Sequence, residues 1–265
     1  MNLIRLADLT RQDVRDIWAR VRLPAAPLGG NVAWSFEGNG IRTRTTFIHA
    51  FRELGLSVVE LPNFLKTSER ACDLAGYLDP FYDVYVIRES NHARLAEFAA
   101  ASRRPVVNAM SGEGHPCEVL TDACFIDAEI GPIDQARICL WGPTTNVMRS
   151  WHELARVMGF TLTHACNARW HDHMPNVRFV EHCETPVDVV VTDAWPSGAE
   201  DPAWSLTADH LAGMGQPRLL PTPPFTIGRE LAFDPLRYAG FTGYAQKALL
   251  LPVHQAILRH VLARP

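Results

Sequence analysis

Short apolar runs alternate with amphipathic stretches along the whole chain of 265 residues. The runs have the length of buried strands, and the stretches between them carry apolar residues at three- and four-residue spacing, which is typical of helices. Repeated strand–helix alternation predicts parallel sheets with helices on both faces. The expected strands are 31–36, 57–61, 83–88, 105–108, 136–141, 160–165, 177–181, 188–193 and 217–220. The expected helices are 11–20, 43–54, 69–78, 91–102, 116–127, 146–158, 207–213 and 243–262.

The polar, turn-rich segment AEIGPIDQ at 128–135 lies near the middle of the chain and indicates a boundary. We therefore expect an α/β protein with two doubly wound parallel-sheet domains, residues 1–128 and 129–242, and the active site in the cleft between them. The long C-terminal helix, within 243–265, is expected to pack back on the first domain.

Composition excludes several classes of protein. Hydrophobic residues make up 47% of the chain and charged residues 20%, which favours a packed core. A formal net charge of -4 leaves no basic surplus for nucleic acid. The chain begins without the apolar region of a signal peptide, and no apolar run reaches membrane-spanning length. Six cysteines form no C-x-x-C pair, so we expect reduced thiols and a cytoplasmic protein.

Ligands of open α/β sheets bind beyond the carboxyl ends of the strands, so polar residues just after strands are candidates for a site. After the first strand, residues 38–45 form a glycine-bearing turn and the start of a helix, whose free N–H groups suit a phosphate. Arg42 and Arg44 add charge to that position. On this stretch alone, two arginines on the surface of an amphipathic helix remain an equal alternative.

A second candidate lies at His115, which opens a helix that carries Glu118 in its first turn. The helix dipole favours a neutral imidazole there, and a neutral imidazole can polarise a carbonyl oxygen. Alone, this residue is better explained as an N-cap histidine with no role. The second half of the chain supplies Asn146, Asp193 and Ser197 after its strands, a set suited to an ammonium or amide group. Together the two halves indicate one anionic and one amine substrate.

Several motifs occur in an order that resembles the aspartate/ornithine carbamoyltransferase family, with the second half closer to the ornithine branch. They are G-I-R-T-R (40–44), K-T-S-E-R-A-C-D (66–73), the strand-end Arg88, H-P-C-E (115–118), G-P-T-T-N-V (142–147), D-A-W-P-S-G (193–198) and A-Q-K-A-L-L (245–250).

The resemblance implies carbamoyl transfer from carbamoyl phosphate to an amine, in a homotrimer, without metal or organic cofactor. It implies that carbamoyl phosphate is bound by Gly40, Ile41, Arg42, Thr43, Arg88, His115 and Glu118, with Arg42, Arg88 and His115 catalytic. The implied acceptor residues are Asn146, Asp193, Ser197, Thr222 and Pro223. Lys66 and Arg70 are candidates to enter the site of a neighbouring subunit.

The sequence also departs from the family pattern. Gly40-Ile41 replaces Ser-Thr, Glu118 replaces glutamine, and P-T-P-P at 221–224 replaces H-C-L-P. We therefore expect a small amino-acid-like acceptor other than ornithine. One alternative is a sister transferase with a modified acyl or amidino phosphate donor, which Glu118 would suit. Another is a non-catalytic homologue that binds a phosphate ligand or a partner.

A rival signal is the histidine- and cysteine-rich segment 164–183. Its spacings match no zinc pattern, so we expect no metal site there.

Overall fold

The computed structural model describes residues 1–24 and 26–263 of the chain. Its strands are β1 (Asn31–Phe36), β2 (Ser57–Glu60), β3 (Val84–Glu89), β4 (Val106–Ser111), β5 (Ile138–Trp141), β6 (Leu162–Ala165), β7 (Val177–Val180), β8 (Val189–Thr192) and β9 (Arg218–Pro221). Its α-helices are α1 (Arg11–Val21), α2 (Ile41–Glu53), α3 (Ala71–Leu78), α4 (His92–Ala101), α5 (Pro116–Glu129), α6 (Asn146–Met158), α7 (Ala208–Gly213), α8 (Gly243–Ala248) and α9 (Leu250–Leu262). None of the helices in the described ranges has the length and apolar character needed to cross a membrane.

The strands form two sheets, with the order β2-β1-β3-β4 in the first and β7-β6-β5-β8-β9 in the second. Every named strand pair is parallel. Parallel neighbours need crossover connections, and α-helices supply them everywhere except between β6 and β7. The predicted fold class of two doubly wound parallel-sheet domains is therefore confirmed.

The C-terminal helix differs from the prediction of one helix over 243–262. The structure has two helices there, α8 and α9, which meet at Leu249. Pro252 is the third residue of α9. Proline lacks an N–H group and its ring excludes the carbonyl four residues earlier, that of Ala248, so α8 cannot continue into α9. Residues 264 and 265, at the end of the C-terminal segment 243–265, lie outside the described residues.

The chain forms two compact units, Met1–Thr121 with Leu249–Pro265, and Asp122–Ala248. The first division falls inside α5 and the second falls between α8 and α9. The domain boundaries expected from the sequence, at 128/129 and 242/243, stay a prediction.

The first unit has a core on each face of its sheet. On one face, Tyr85 of β3 packs edge-to-face on Phe98 of α4, with ring centroids 4.9 Å apart. On the other face, Trp34 of β1 lies 5.7 Å from Phe47 and 5.5 Å from Phe51 of α2. Both faces are covered, which is why these strands read as continuous apolar runs.

The core of the second unit surrounds β5 and α7. Cys139, Trp141, Leu211 and Met214 belong to one buried cluster. The indole Nε1 of Trp141 donates a hydrogen bond to the carbonyl oxygen of Trp204 at 2.8 Å, so its burial leaves no orphaned donor.

Helix α9 packs against α1 and α2 in the first unit and brings one titratable group into the core. The ring of His254 stacks on Phe47, with centroids 3.8 Å apart and an interplanar angle of 13°. Neither ring nitrogen has a hydrogen-bond partner among the described residues. Burial lowers the pKa of His254 to about 3, although the charge of Glu118 opposes the shift and His115 adds to it.

This buried histidine predicts a specific loss of stability in acid. The unfolded chain binds a proton at His254 below its ordinary pKa of about 6.5, whereas the folded chain does so only near pH 3, so stability falls as pH is lowered between those values. At pH 5 the cost reaches up to about 2 kcal/mol, taking about 1.4 kcal/mol per pH unit. Urea denaturation at pH 7 and pH 5 should therefore show a smaller acid loss for His254→Phe than for the parent.

The exposed His49 is the matched control, because water hydrates it in both states. His49→Phe should leave the acid loss unchanged. An equal acid loss in the parent and in His254→Phe would contradict the prediction.

Candidate active site

Each sheet contains one topological switch, where consecutive crossovers leave in opposite directions. In the first sheet the chain runs from β1 outward to β2 and then returns to the other side of β1 at β3. In the second, β6 and β7 lie to one side of β5, and β8 and β9 lie to the other. Ligands of doubly wound sheets bind beyond the strand ends at such points. The predicted site residues lie near or just after the carboxyl ends of strands in these two sheets.

The loop after β1 leads directly into α2. Gly40 occupies the N-cap position, and no side chain of the described chain caps the helix. The first intrahelical bond at this end runs from the N–H of Arg44 to the carbonyl of Gly40, 3.0 Å. The N–H groups of residues 41–43 therefore remain available to an anion.

The two arginines of the motif have different environments. The guanidinium of Arg44 lies 3.0 Å from a carboxylate oxygen of Glu60 and 4.7 Å from the ring centre of Phe36. The side chain of Arg42 is exposed and makes no ion pair or hydrogen bond with any described residue. Arg42 is thus the arginine of the motif whose charge is not paired with a carboxylate of the described chain.

Arg88 is the second-to-last residue of β3, beside this loop. Its guanidinium lies 5.1 Å from the ring centre of Phe36, and burial lowers the pKa of Arg88, which Glu37 opposes. A Cβ at Gly40 would lie 2.5 Å from Nη1 of Arg88 and 2.6 Å from the Phe36 ring. A side chain at this position would require the guanidinium of Arg88 and the ring of Phe36 to move, because they occupy the space that a hydroxyl-bearing side chain would take.

Glu37 connects three segments of the first unit. It forms an ion pair with Lys66, and its other oxygen accepts a 2.6 Å hydrogen bond from the N–H of Ser90. The hydrogen bond from Lys66 and then that from Ser90 lower the pKa of Glu37 to about 2.

The basic residues of the loop 66–73 therefore have partners in their own chain. The sequence did not indicate these partners. Lys66 pairs with Glu37, and Arg70 pairs with Asp73 through bonds of 2.7 and 2.8 Å. Both basic residues are therefore paired within the first unit, although the partner of Lys66 lies 29 residues earlier in the sequence. A role of either residue in a neighbouring subunit stays a prediction.

His115 is buried immediately before α5. Its Nε2 lies 4.0 Å from a carboxylate oxygen of Glu118, which is also buried. The preceding loop is held by Asn108, whose amide donates to the carbonyl of Ile4 at 2.9 Å and to the Ser111 hydroxyl at 3.1 Å. These contacts fix the path of the chain into His115.

In the second unit, the loop after β5 leads into α6. Gly142 has a φ of +115°, a conformation that favours glycine, and a Cβ there would lie 2.9 Å from Nε1 of Trp195. Thr145 caps α6 by accepting a 3.2 Å hydrogen bond from the N–H of Met148. Asn146 is consequently the first helical residue, partly exposed at the strand end.

The segment after β8 carries Asp193, which is buried, and Ser197, which is exposed. Glu230 holds this segment, because its carboxylate accepts from the N–H of Trp195 at 3.0 Å. Arg229 donates to the carbonyl of Trp195 at 2.9 Å. The predicted residues are thus presented by a loop that two later side chains brace.

After β9 come the remaining predicted acceptor residues, Thr222 and Pro223. The N–H of Thr222 donates to the carbonyl of Thr192 at 2.7 Å, which ties this strand end to that of β8. The hydroxyl of Thr222 is buried and has no hydrogen-bond partner among the described residues. Asn146, Asp193 and Thr222 therefore follow three neighbouring strands at one edge of the sheet.

The segment 164–183 forms no metal-binding cluster that the described residues reveal. His164 bonds to His152 and to a backbone carbonyl, and His182 stacks on Trp204 with centroids 5.7 Å apart.

Sequence reasoning missed Glu37, His254 and Glu230. Glu37 follows β1 directly and could have been found by the same strand-end rule that selected Arg42. His254 is signalled only as a polar residue within an apolar helix. Nothing local to Glu230 indicates that it braces a segment more than thirty residues earlier.

Comparison with known proteins agrees with these features. Residues 1–128 match the family model "Aspartate/ornithine carbamoyltransferase, carbamoyl-P binding domain". The chain is 30% identical over 224 residues to an ornithine carbamoyltransferase of Agrobacterium fabrum, covering 74% of this chain and 73% of that protein. It is 31% identical over 205 residues to that of Caulobacter vibrioides, covering 71% of this chain and 66% of the relative, which is less than two thirds of its length.

The structure of ornithine carbamoyltransferase from Pyrococcus furiosus has a similar fold, with a TM-score of 0.90 at 21% identity over 100% of this chain and 97% of that one. The identity and coverage of the Agrobacterium relative, together with the match of the first half, show that the chain belongs to the aspartate/ornithine carbamoyltransferase family.

Proposed function

We propose that the chain is a carbamoyltransferase, which moves the carbamoyl group of carbamoyl phosphate to the primary amine of a small amino-acid-like acceptor. The observation that carries the proposal is the exposed Arg42 at the uncapped N-terminus of α2, at a switch point of a parallel sheet. This position combines a cation with backbone donors, which is the combination that a phosphate needs. Membership of the family supports carbamoyl phosphate as the anion.

In this proposal the backbone of Gly40 and Ile41 and the guanidinium of Arg42 hold the phosphate. Thr43 lies on the buried face of α2, so its contribution is its backbone N–H. Arg88 reaches the same edge of the sheet and binds both the phosphate and the carbamoyl oxygen. His115 donates a hydrogen bond to that oxygen, and Glu118 accepts one from the carbamoyl NH₂ group.

The reaction needs no covalent enzyme intermediate. The amine attacks the carbamoyl carbon, a tetrahedral intermediate forms, and the bond from that carbon to the phosphate oxygen breaks. One proton of the amine leaves with the phosphate. The protein aligns the two substrates and stabilises the oxyanion and the leaving group, with Arg42, Arg88 and His115 in the catalytic roles.

The acceptor is assigned to the edge of the second sheet. Asp193 receives the ammonium group of the acceptor, and Asn146 and Ser197 bind its carboxylate or amide. Thr222 and Pro223 form the wall of the pocket, where the unsatisfied Thr222 hydroxyl offers one further hydrogen bond.

The expectation that the acceptor is not ornithine gains no support from the relatives, which are named ornithine carbamoyltransferases. The replaced H-C-L-P motif still changes the wall of the pocket. We therefore leave the proposed class at amino acids with a primary amine, and ornithine is the first member to test. The comparisons do not favour a modified phosphate donor or a non-catalytic role.

The proposed assembly is a cytoplasmic homotrimer with shared sites. All six cysteines are free thiols, which suits a reducing compartment. Arg70 is 77% exposed and Lys66 is 45% exposed, so their ion pairs with Asp73 and Glu37 lie at the surface. Exposed pairs contribute little stability, and either cation can exchange its partner for a ligand of a neighbouring subunit.

Replacement of Arg42 by alanine tests the phosphate assignment. A charge-assisted contact of about 1.5–3 kcal/mol is lost, which weakens carbamoyl phosphate binding by more than about 10-fold. Turnover falls by about 100-fold or more where the contact tightens in the transition state. Isothermal titration with carbamoyl phosphate and steady-state kinetics measure the two effects.

Arg52→Ala is the matched control, since it removes an exposed arginine from the last turn of the same helix. It should bind and turn over like the parent. Equal losses in the two variants would attribute the effect to net charge instead of to the site.

Steady-state kinetics with a panel of acceptors, at a fixed concentration of carbamoyl phosphate, test the acceptor residues assigned to the second unit. Ornithine and other primary-amine amino acids should release phosphate, and the corresponding alcohols should not. Asp193→Asn should raise the KM for the amine by about 10-fold and leave the KM for carbamoyl phosphate within about two-fold, because only acceptor binding is changed. The exposed Asp209→Asn serves as the control. An alcohol that turns over best would refute the role of Asp193.

Mixing two inactive variants tests the shared site. Light scattering should give the mass of three chains. Equal amounts of Arg42→Ala and Arg70→Ala, reassembled together, should recover about a quarter of the parent activity, because one site in four then receives both intact residues in a closed trimer. Each variant alone provides the baseline. No recovery in a mixture of proven trimers would show that Arg70 does not act across subunits.

A further inference from the structure

His164, in the histidine-rich segment, takes part in a directed chain of hydrogen bonds that joins α6 to the loop after β5. The Nε2 of His152, in α6, lies 3.0 Å from the Nδ1 of His164, in β6. The Nε2 of His164 lies 2.8 Å from the carbonyl oxygen of Gly142. Both side chains are buried, at 1% and 0% exposure.

The chain has only one consistent direction. A carbonyl oxygen can only accept, so the proton of His164 is on Nε2, and the Nδ1 of a neutral ring is then an acceptor. His152 must donate to it from its own Nε2. The Nδ1 of His152 has no hydrogen-bond partner among the described residues. Burial lowers the pKa of His152 to about 3 and that of His164 to about 4, so both rings are neutral near pH 7.

The rings are also fixed by packing. The ring of Phe179 lies 5.5 Å from that of His152 and 5.2 Å from that of His164, centroid to centroid. Two buried rings against one aromatic neighbour have little freedom to rotate, and the hydrogen bonds therefore act on a defined point.

That point is the carbonyl of Gly142. Residues of β6 form hydrogen bonds with both the N–H and the carbonyl of Gly142. The N–H of Gly142 donates to the carbonyl of Ala165 at 3.0 Å, and its carbonyl accepts from His164. Gly142 also lies against the indole nitrogen of Trp195, in the segment that carries Asp193. The residues after Gly142 lead through the cap Thr145 to Asn146.

We propose that His152 and His164 are positioning residues that hold the loop 142–146 and thereby set the affinity for the amine acceptor. The acceptor part of this inference rests on the proposed function, whereas the holding of the loop does not. Neither histidine touches substrate in this account; each acts through the Gly142 carbonyl.

The test compares His164→Leu, which keeps an apolar group of similar size, with His164→Gln, whose amide can still donate to the carbonyl. His164→Leu should speed hydrogen exchange in residues 142–148 and raise the KM for the amine by about 10-fold, with the KM for carbamoyl phosphate within about two-fold. His164→Gln should restore both values to within about three-fold of the parent. His152→Leu should shift both in the same direction by a smaller factor.

His171→Leu is the matched control. His171 also bonds a backbone carbonyl, that of Cys166 at 3.1 Å, and also packs on Phe179, but it does not contact Gly142. It should leave the exchange of 142–148 and both KM values unchanged. Nitrogen NMR of the histidine side chains should show both His152 and His164 as Nε2–H tautomers.

Unchanged exchange in both His164→Leu and His152→Leu, or an Nδ1–H tautomer at His164, would overturn the proposal. Faster exchange with an unchanged KM for the amine would overturn its acceptor part. A parent protein without carbamoyl transfer would refute the proposed function, and the exchange and tautomer measurements would still decide whether the histidines hold the loop. If His164→Leu fails to fold, the same measurements on His152→Leu decide.

Discussion

The reversal of strand order within each parallel sheet is the constraint on which the rest of the site depends. The central strands β1, β3, β5 and β8 are almost entirely buried and mostly apolar, so the charged candidate residues lie near or beyond their ends. At the switch points, between β1 and β3 and between β5 and β8, the flanking loops diverge and leave room for a ligand. Arg42, Asn146 and Asp193 follow β1, β5 and β8, and Arg88 lies near the end of β3.

Within the first unit, the ion pairs determine which basic side chain remains without a carboxylate partner. Glu60 forms an ion pair with Arg44, and Glu37 forms one with Lys66. Arg42 has no such partner in the described chain. The hydrogen bonds that lower the pKa of Glu37 to about 2 keep its carboxylate ionised near neutral pH, where it pairs with Lys66. The motif thus carries two arginines, but only one of them brings an uncompensated charge to the helix N-terminus.

Much of the fold was predictable because its signals are local. Buried parallel strands read as apolar runs, so all nine were found within a few residues of their observed bounds, and even the missed break at Leu249 had a visible cause in Pro252. The site was predictable only as a set of strand-end residues. The partner of Lys66 and the contacts of His254 and His164 join elements that are distant in the sequence, and no spacing rule encodes them.

The departures from the family pattern acquire a physical explanation once these contacts are known. Gly40 lacks the hydroxyl of a serine, and the space where its Cβ would lie is occupied by the Phe36 ring and the guanidinium of Arg88. Glu118 adds a buried carboxylate beside His115, which opposes the binding of an anion. In the proposed site, the Glu118 departure adds negative charge whereas the Gly40 departure adds no charge, so neutralisation of the phosphate would depend on Arg42 and Arg88.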